Sequence, residues 1–353
     1  MDELEILRGL LEEYSPSGHE EGAARKFVEL AESLGLRAHI DEAGNAIART
    51  GGGRPEIMVL GHIDTVEGEL PVRIEDGRIY GRGSCDAKGA LAAALVAASN
   101  HDEPGEIIVI GAVGEERDSR GARHLLPRHR PDFLIVGEPS GWDSVTVGYK
   151  GNLSLVLRLD GERGHLSSPT ATTIETALTF VERLRAFCNA HAGLTPFHSL
   201  TMKTRSINTT QSGGEEHVEI GLNLRLQPGL DLDEVRSFIE CNRGAIRSEM
   251  IDASDAIEVG SRNEVVRALC AGIRKEGSRP TLLRKLGTSD LNLAAPAWGC
   301  PAAAYGPGDS HLDHTEEENV DIAELRRSIE VLREAFSILT AQRRLAPVMA
   351  SVE

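Results

Sequence analysis

The chain has 353 residues, 40% hydrophobic and 26% charged, a mixture that folds as a globular protein and does not stay disordered. Its formal net charge is −17 and no cluster of Lys and Arg interrupts that acidity, which argues against nucleic acid as a partner. No run approaches the roughly 20 apolar residues that span a bilayer, and the acidic start Met1-Asp2-Glu3-Leu4-Glu5 lacks an apolar signal core, so no membrane partner and a cytoplasmic location are expected.

Apolar spacing predicts helices over 3–11 and 20–34, the second capped by Ser17 with Glu20 completing a capping box. Residues 37–41 and 45–49 read as a hairpin turning at Gly44, and 57–60 as a short buried strand. Residues 89–98 are almost pure Ala, Leu and Val, a helix whose small side chains suit close packing on a sheet. The runs 107–110 and 133–136 repeat the buried-strand pattern, and this alternation predicts an α/β layer with a mixed, largely parallel sheet. Near Gly151 the pattern changes. Leu153, Leu155, Leu157 and Leu159 alternate with polar or smaller residues, a half-buried strand's period. A helix over 173–190, alternating segments at 199–208 and 217–227, a helix near 233–241 and a strand up to about 259 complete a β-α-β-β-α-β order. From Asn263 the α/β character returns and ends in a helix over 322–339. The expected organisation is one α/β domain, 1–150 and 262–353, interrupted by an α+β, ferredoxin-like domain over 151–261.

Residues suited to chemistry follow the buried strands. His62 and Asp64 lie two apart, so in an extended segment a carboxylate can orient an imidazole. Asp86 sits in a Gly-rich turn that opens the small-residue helix, Glu115 and Glu116 end another strand, and Glu138 ends a fourth. His311 and His314 come far downstream. The Gly-rich turn is not a phosphate loop, because Lys88 is followed by Gly rather than Ser or Thr. Acidic or His residues thus close successive strands, and ligand sites in α/β sheets gather at the carboxyl ends of strands. The five scattered cysteines form no Cys-x-x-Cys pair and fit a reducing compartment, which leaves a metal to His and carboxylate. His62, Asp86, Glu116, Glu138 and His314 would suit two borderline divalent ions, zinc foremost, with one carboxylate bridging. Glu115 would remain unligated, able to take a proton from water and pass it to a leaving amine.

The motifs GHIDTV, GRGSCDAKG, GEE and GEP, in that order and spacing, make the chain similar to the M20 family of co-catalytic zinc peptidases and amidohydrolases along its whole length. The resemblance implies a Zn-peptidase-like catalytic domain and an inserted lid through which two chains pair as a homodimer. It implies His62 and Glu138 on one ion, Glu116 and His314 on the other, Asp86 as the bridge before a cis Asp86–Ala87 bond, Asp64 as the partner of His62, and Glu115 as general acid/base. His314 fits the family's His-x-x-Asp/Glu-like segment better than His311. His165, in Gly161-Glu162-Arg163-Gly164-His165, resembles the lid histidine that donates to the scissile carbonyl, often across a dimer. Arg225 stands where relatives engage the substrate carboxylate, and a surface arginine is the plainer reading. Thr288 and Ser289 resemble a pocket-lining segment, with Ser289 departing from its commonest form, and Gly308 would bring backbone close to substrate.

Within the family, GHIDTVEGELPVR, GTSDLN and YGPGDSHLDHTEEE look most like the branch that releases lysine or ornithine from a small acidic amino-group carrier protein in lysine and arginine biosynthesis. That implies two zinc ions, with cobalt as a substitute. The alternatives are a deacylase of free N-acyl amino acids (acetyl-lysine, acetylornithine, acetylcitrulline or succinyl-diaminopimelate type), a dipeptidase or carboxypeptidase of the family, and a metal-binding protein without activity.

Overall fold

A computed structural model describes residues 2–342 except Asn100 and Leu166. The chain opens with α1 (Glu3–Leu11), where the Asp2 carboxylate accepts the Glu5 N–H and the Glu5 carboxylate accepts the Asp2 N–H, closing a capping box. Then follow α2 (Glu21–Ser33), the hairpin β1 (Arg37–Ile40) and β2 (Ala46–Gly52), β3 (Glu56–His62), β4 (Arg73–Glu75), β5 (Arg78–Tyr80), α3 (Lys88–Ala98), β6 (Gly105–Ala112), α4 (Arg120–Leu125), β7 (Phe133–Gly137) and β8 (Ser144–Tyr149). The middle of the chain forms β9 (Gly151–Glu162), α5 (Thr173–Ala190), β10 (Thr201–Ser212), β11 (Glu215–Leu226), α6 (Leu232–Asn242) and β12 (Arg247–Ser254). It closes with β13 (Ile257–Glu258), α7 (Glu264–Lys275), β14 (Thr281–Lys285), α8 (Leu291–Trp298), β15 (Ala302–Ala304), β16 (Asn319–Asp321) and α9 (Ile322–Gln342).

Two units result. The first comprises Met1–Val147, Val259–Leu283 and Ser289–Glu353; the second comprises Gly148–Glu258 and the short segment Arg284–Thr288. In the first, the strand order β1-β2-β6-β3-β7-β15-β8 places β6, β3, β7 and β15 side by side and parallel, flanked by antiparallel neighbours. The parallel strands are apolar along their length because both faces are covered, which is why they read as runs and not as alternation. Helix α3 is buried from Lys88 through Ala98 except for Val96, against α1, α9 and the sheet. Only small side chains permit such burial on all sides of a helix. Ser17 does not cap α2: Glu20 precedes that helix with helical backbone and no side-chain cap, and the Ser17 hydroxyl donates to Asp64 instead.

The second unit is a four-stranded antiparallel sheet, β10-β11-β9-β12, with α5 and α6. One face of β9 and β11 carries Leu153, Leu155, Leu157, Leu222 and Leu224 into a separate core with Phe180, Leu184, Val235 and Ile239. The other face is polar and internally bonded, Asn223 donating to Asn152 and Ser154 while Arg158 pairs with Glu219 and Glu249. The segment Arg284–Thr288 joins this unit through the Lys150 N–H donated to the Lys285 carbonyl. No helix among the described residues is long and apolar enough to cross a membrane.

Candidate metal centre

Three neighbouring parallel strands deliver the site. His62 is the last residue of β3, Glu138 follows the last residue of β7, and Glu115 and Glu116 lie three and four residues past β6. Asp86 comes from the turn before α3, and His314 from the loop between β15 and β16. Sequence-distant loops meet here because parallel strands end together, at the edge where helix and loop connections leave room.

His62, Asp86 and Glu138 form one group and Asp86, Glu116 and His314 a second, each offering ligand atoms within 4.8 Å of one another, with Asp86 in both. His62 Nε2 lies 3.0 Å from Asp86 Oδ1; His314 Nε2 lies 3.2 Å from Asp86 Oδ2 and 2.7 Å from Glu116 Oε1. Two imidazoles and three carboxylates are nitrogen and oxygen donors suited to divalent cations. Three donors to each group leave coordination positions open, as hydrolytic centres require. The donor set therefore fits a pair of divalent ions sharing Asp86. The Asp86–Ala87 bond is cis, as the family resemblance leads one to expect.

Charge inside this cluster is strongly biased. Burial opposes ionisation of Asp86, but hydrogen bonds from His314 and His62 outweigh it and hold the carboxyl well below its usual range. Hydrogen bonds to Asp86 and Glu116 push His314 up to about 10. Glu115 goes the opposite way. Burial raises it well above a normal glutamate, and the carboxylates of Glu138, Asp290 and Glu116 add to that against the pull of His62. A carboxyl group placed so, outside both ligand groups, has its protonated form favoured by burial and by its acidic neighbours.

Asp64 has a wider part than its spacing suggests. His62 Nδ1–H donates to the Asp64 backbone carbonyl at 2.9 Å, while the Asp64 carboxylate lies 3.6 Å away. That carboxylate accepts the Glu115 N–H at 3.0 Å, the Glu116 N–H at 3.1 Å and the Ser17 hydroxyl at 2.6 Å. One buried side chain thus ties the loop after β6 to the end of β3.

The remaining candidates lie as follows. His165 is exposed on the segment between β9 and α5, its Nδ1 accepting the Ser167 N–H at 3.2 Å, which leaves the ring proton on Nε2. Arg225 is half-buried on the polar face of the second unit, 3.4 Å from the Thr288 hydroxyl, and burial lowers its pKa. Ser289 is buried and its hydroxyl accepts the Leu291 N–H. Gly308 adopts φ +100 against Cys85, and its N–H donates to Glu324. His311 is exposed beside Asp309, outside both ligand groups.

Several residues of the centre escaped the sequence reading. Asp290, read only as part of a motif, is buried with Oδ1 lacking a hydrogen-bond partner, and burial lifts it to about 6. Lys88 is buried with Nζ donating to the Glu13 carbonyl at 2.7 Å, and burial pushes it down to about 7. Arg82 and Glu318 form a buried pair 236 positions apart, a separation that no local spacing rule detects.

Residues 58–337 match the sequence profile of peptidase family M20/M25/M40. The chain is 40% identical over 332 residues to a putative [LysW]-lysine/[LysW]-ornithine hydrolase of Thermococcus kodakarensis, covering 94% of this chain and 90% of that one. It is 34% identical over 351 residues to a [LysW]-lysine hydrolase of Deinococcus radiodurans, covering 95% and 96%. In fold it is similar to a tripeptidase from Staphylococcus aureus, with TM-score 0.78 at 20% identity over 97% of this chain and all of that one.

Proposed function

The chain belongs to peptidase family M20/M25/M40, and on that premise we propose that it is a [LysW]-lysine/[LysW]-ornithine hydrolase, a metal-dependent enzyme that releases lysine or ornithine from the LysW carrier protein in lysine and arginine biosynthesis. The observation that carries this reading is the near end-to-end alignment with relatives so named, at 32–40% identity. Two ligand groups sharing one carboxylate, with an unligated buried glutamate beside them, suit the amide hydrolysis this activity needs.

His62, Asp86 and Glu138 would hold one ion and Asp86, Glu116 and His314 the other; zinc is the natural pair for this donor set and cobalt a working substitute. Bound there, the ions supply Lewis-acid polarisation of the scissile carbonyl and of water. Glu115 takes a proton from the attacking water and delivers it to the departing amine, a role favoured by its raised proton affinity. Asp64 keeps that glutamate in place through its backbone N–H. By the family resemblance, His165 would donate from Nε2–H to the developing oxyanion, and two chains would pair as a homodimer through the second unit. Arg225 with Thr288 receives a substrate carboxylate, while Ser289 and Gly308 shape the pocket wall.

A substrate panel tests this reading: carrier-linked lysine, carrier-linked ornithine, N-acetyl-lysine and N-acetylornithine, each with zinc-loaded protein. The carrier conjugates are expected to exceed the acetylated amino acids in kcat/KM by at least about tenfold. Turnover of acetylated amino acids alone would move the assignment to a free N-acyl amino acid deacylase. No turnover of any substrate by metal-loaded protein would leave a binding protein.

A further inference from the structure

Asp86 and His314 must be held at a fixed separation, yet neither stands on a regular element. Asp86 occupies the turn between β5 and α3, and His314 has φ +64, a left-handed backbone that a non-glycine residue keeps only when its surroundings impose it. Behind both lies the ion pair Arg82–Glu318, 7% and 1% exposed at its side chains, with Nη1 and Oε2 2.7 Å apart.

Each partner reaches a different ligand loop. Glu318 Oε1 accepts three backbone N–H groups along the Asp86 turn: Gly83 at 3.0 Å, Cys85 at 3.1 Å and Asp86 itself at 3.1 Å. Arg82 donates from Nη1 to the carbonyl of Thr315, the residue after His314, at 3.0 Å, and from Nε to the carbonyl of Gly68 at 2.9 Å. A charged acceptor with three N–H donors is a strong, directional clamp in a buried setting. Removing either charge alone would leave the other buried and unpaired.

We propose that the Arg82–Glu318 pair is a positioning brace that sets Asp86 against His314 and so governs how tightly the Asp86–Glu116–His314 group holds its ion. The proposal rests on the metal-centre reading above. Neither residue would touch substrate or ion; both act through the loops they hold.

Zinc titration of the full chain stripped of metal, followed by calorimetry and repeated with cobalt by visible absorption, tests it. Wild-type protein is expected to take up two ions; uptake of none would overturn the metal-centre reading itself and leave the brace without a site. Glu318→Gln keeps an oxygen that can accept the N–H groups but removes the charge facing Arg82. It is expected to bind both ions more weakly, the second by about 10–100-fold, with a changed cobalt spectrum. Leu339→Ala, a buried α9 substitution away from the pair, is expected to lower thermal stability yet keep both affinities. Unchanged second-ion affinity in folded Glu318→Gln, with only a lower melting temperature, would overturn the brace. Should that variant fail to fold, Arg82→Lys, which keeps the cation but loses the fork reaching Thr315 and Gly68, carries the same test with the same two outcomes.

Discussion

Glu115 and Glu116 are neighbours in the chain with opposite assignments, and their surroundings make the difference. Both backbone N–H groups are held by Asp64, but only the Glu116 side chain joins Asp86 and His314. Glu115→Ala is therefore expected to lower kcat by about 10²–10⁴-fold while zinc content, measured by atomic absorption, stays that of wild type. Loss of zinc in that variant would move Glu115 into the ligand set. His165→Ala is likewise expected to lower kcat with zinc unchanged, since its ring lies outside both ligand groups. Recovery of activity on mixing the two variants under conditions of proven subunit exchange would place the histidine in trans; no recovery would place it within one chain. Among the candidate ligands, His62 and Glu138 were legible because each closes an apolar run beside Gly, while Asp86, Glu116 and His314 were picked out by motif and motif order. Asp290, Lys88, Arg82 and Glu318 were not, because their parts depend on burial and on partners brought close only by folding.

At the scale of elements, helix α3 joins the fold to the centre. Its first turn packs on the loop bearing Asp86, and a Cβ on Gly89 would come 2.4 Å from the Ser84 carbonyl oxygen. Alanine is the better helix former by roughly 1 kcal/mol, but an approach to backbone that close forces the loop to move. Gly89→Ala is expected to lower the melting temperature and the zinc content together; a rise in melting temperature would show that helix propensity wins. Helices α1, α5 and α9 and strands β3, β6, β7, β9 and β11 follow the periodicity read from the chain. Strands β13, β15 and β16 are two or three residues long, too short to carry a period, and the wholly buried β8 shows no alternation. The Ser17 capping box failed for a further reason. Gly18 takes φ +97 and turns the chain before the helix starts, and the hydroxyl bonds a carboxylate 47 positions away.

Over the whole molecule, the net charge of −17 bears on how an acidic carrier protein would dock. Of the basic residues in the second unit, Arg158 is already paired with Glu219 and Glu249, and Arg225 is half-buried. Arg163, Lys203 and Arg205 are exposed, the last two on edge strand β10. The double variant Lys203→Glu, Arg205→Glu is expected to raise KM for carrier-linked lysine several-fold at low salt, less at high salt, and to leave turnover of small acyl-lysine substrates unchanged. Equal KM values for wild type and variant would remove β10 as the docking edge. The sequence alone was enough for the family, the largely parallel sheet and a separate antiparallel second domain, and it proposed the candidate ligands. These depend on residue type, on period and on motif order, all of them local properties of a chain. Only the tertiary structure decided that Asp64 holds the glutamate loop while its own carbonyl orients His62, and that a buried ion pair stands behind Asp86 and His314. Those are distances between loops as many as 236 positions apart, set by how strands end side by side, and no local pattern encodes them.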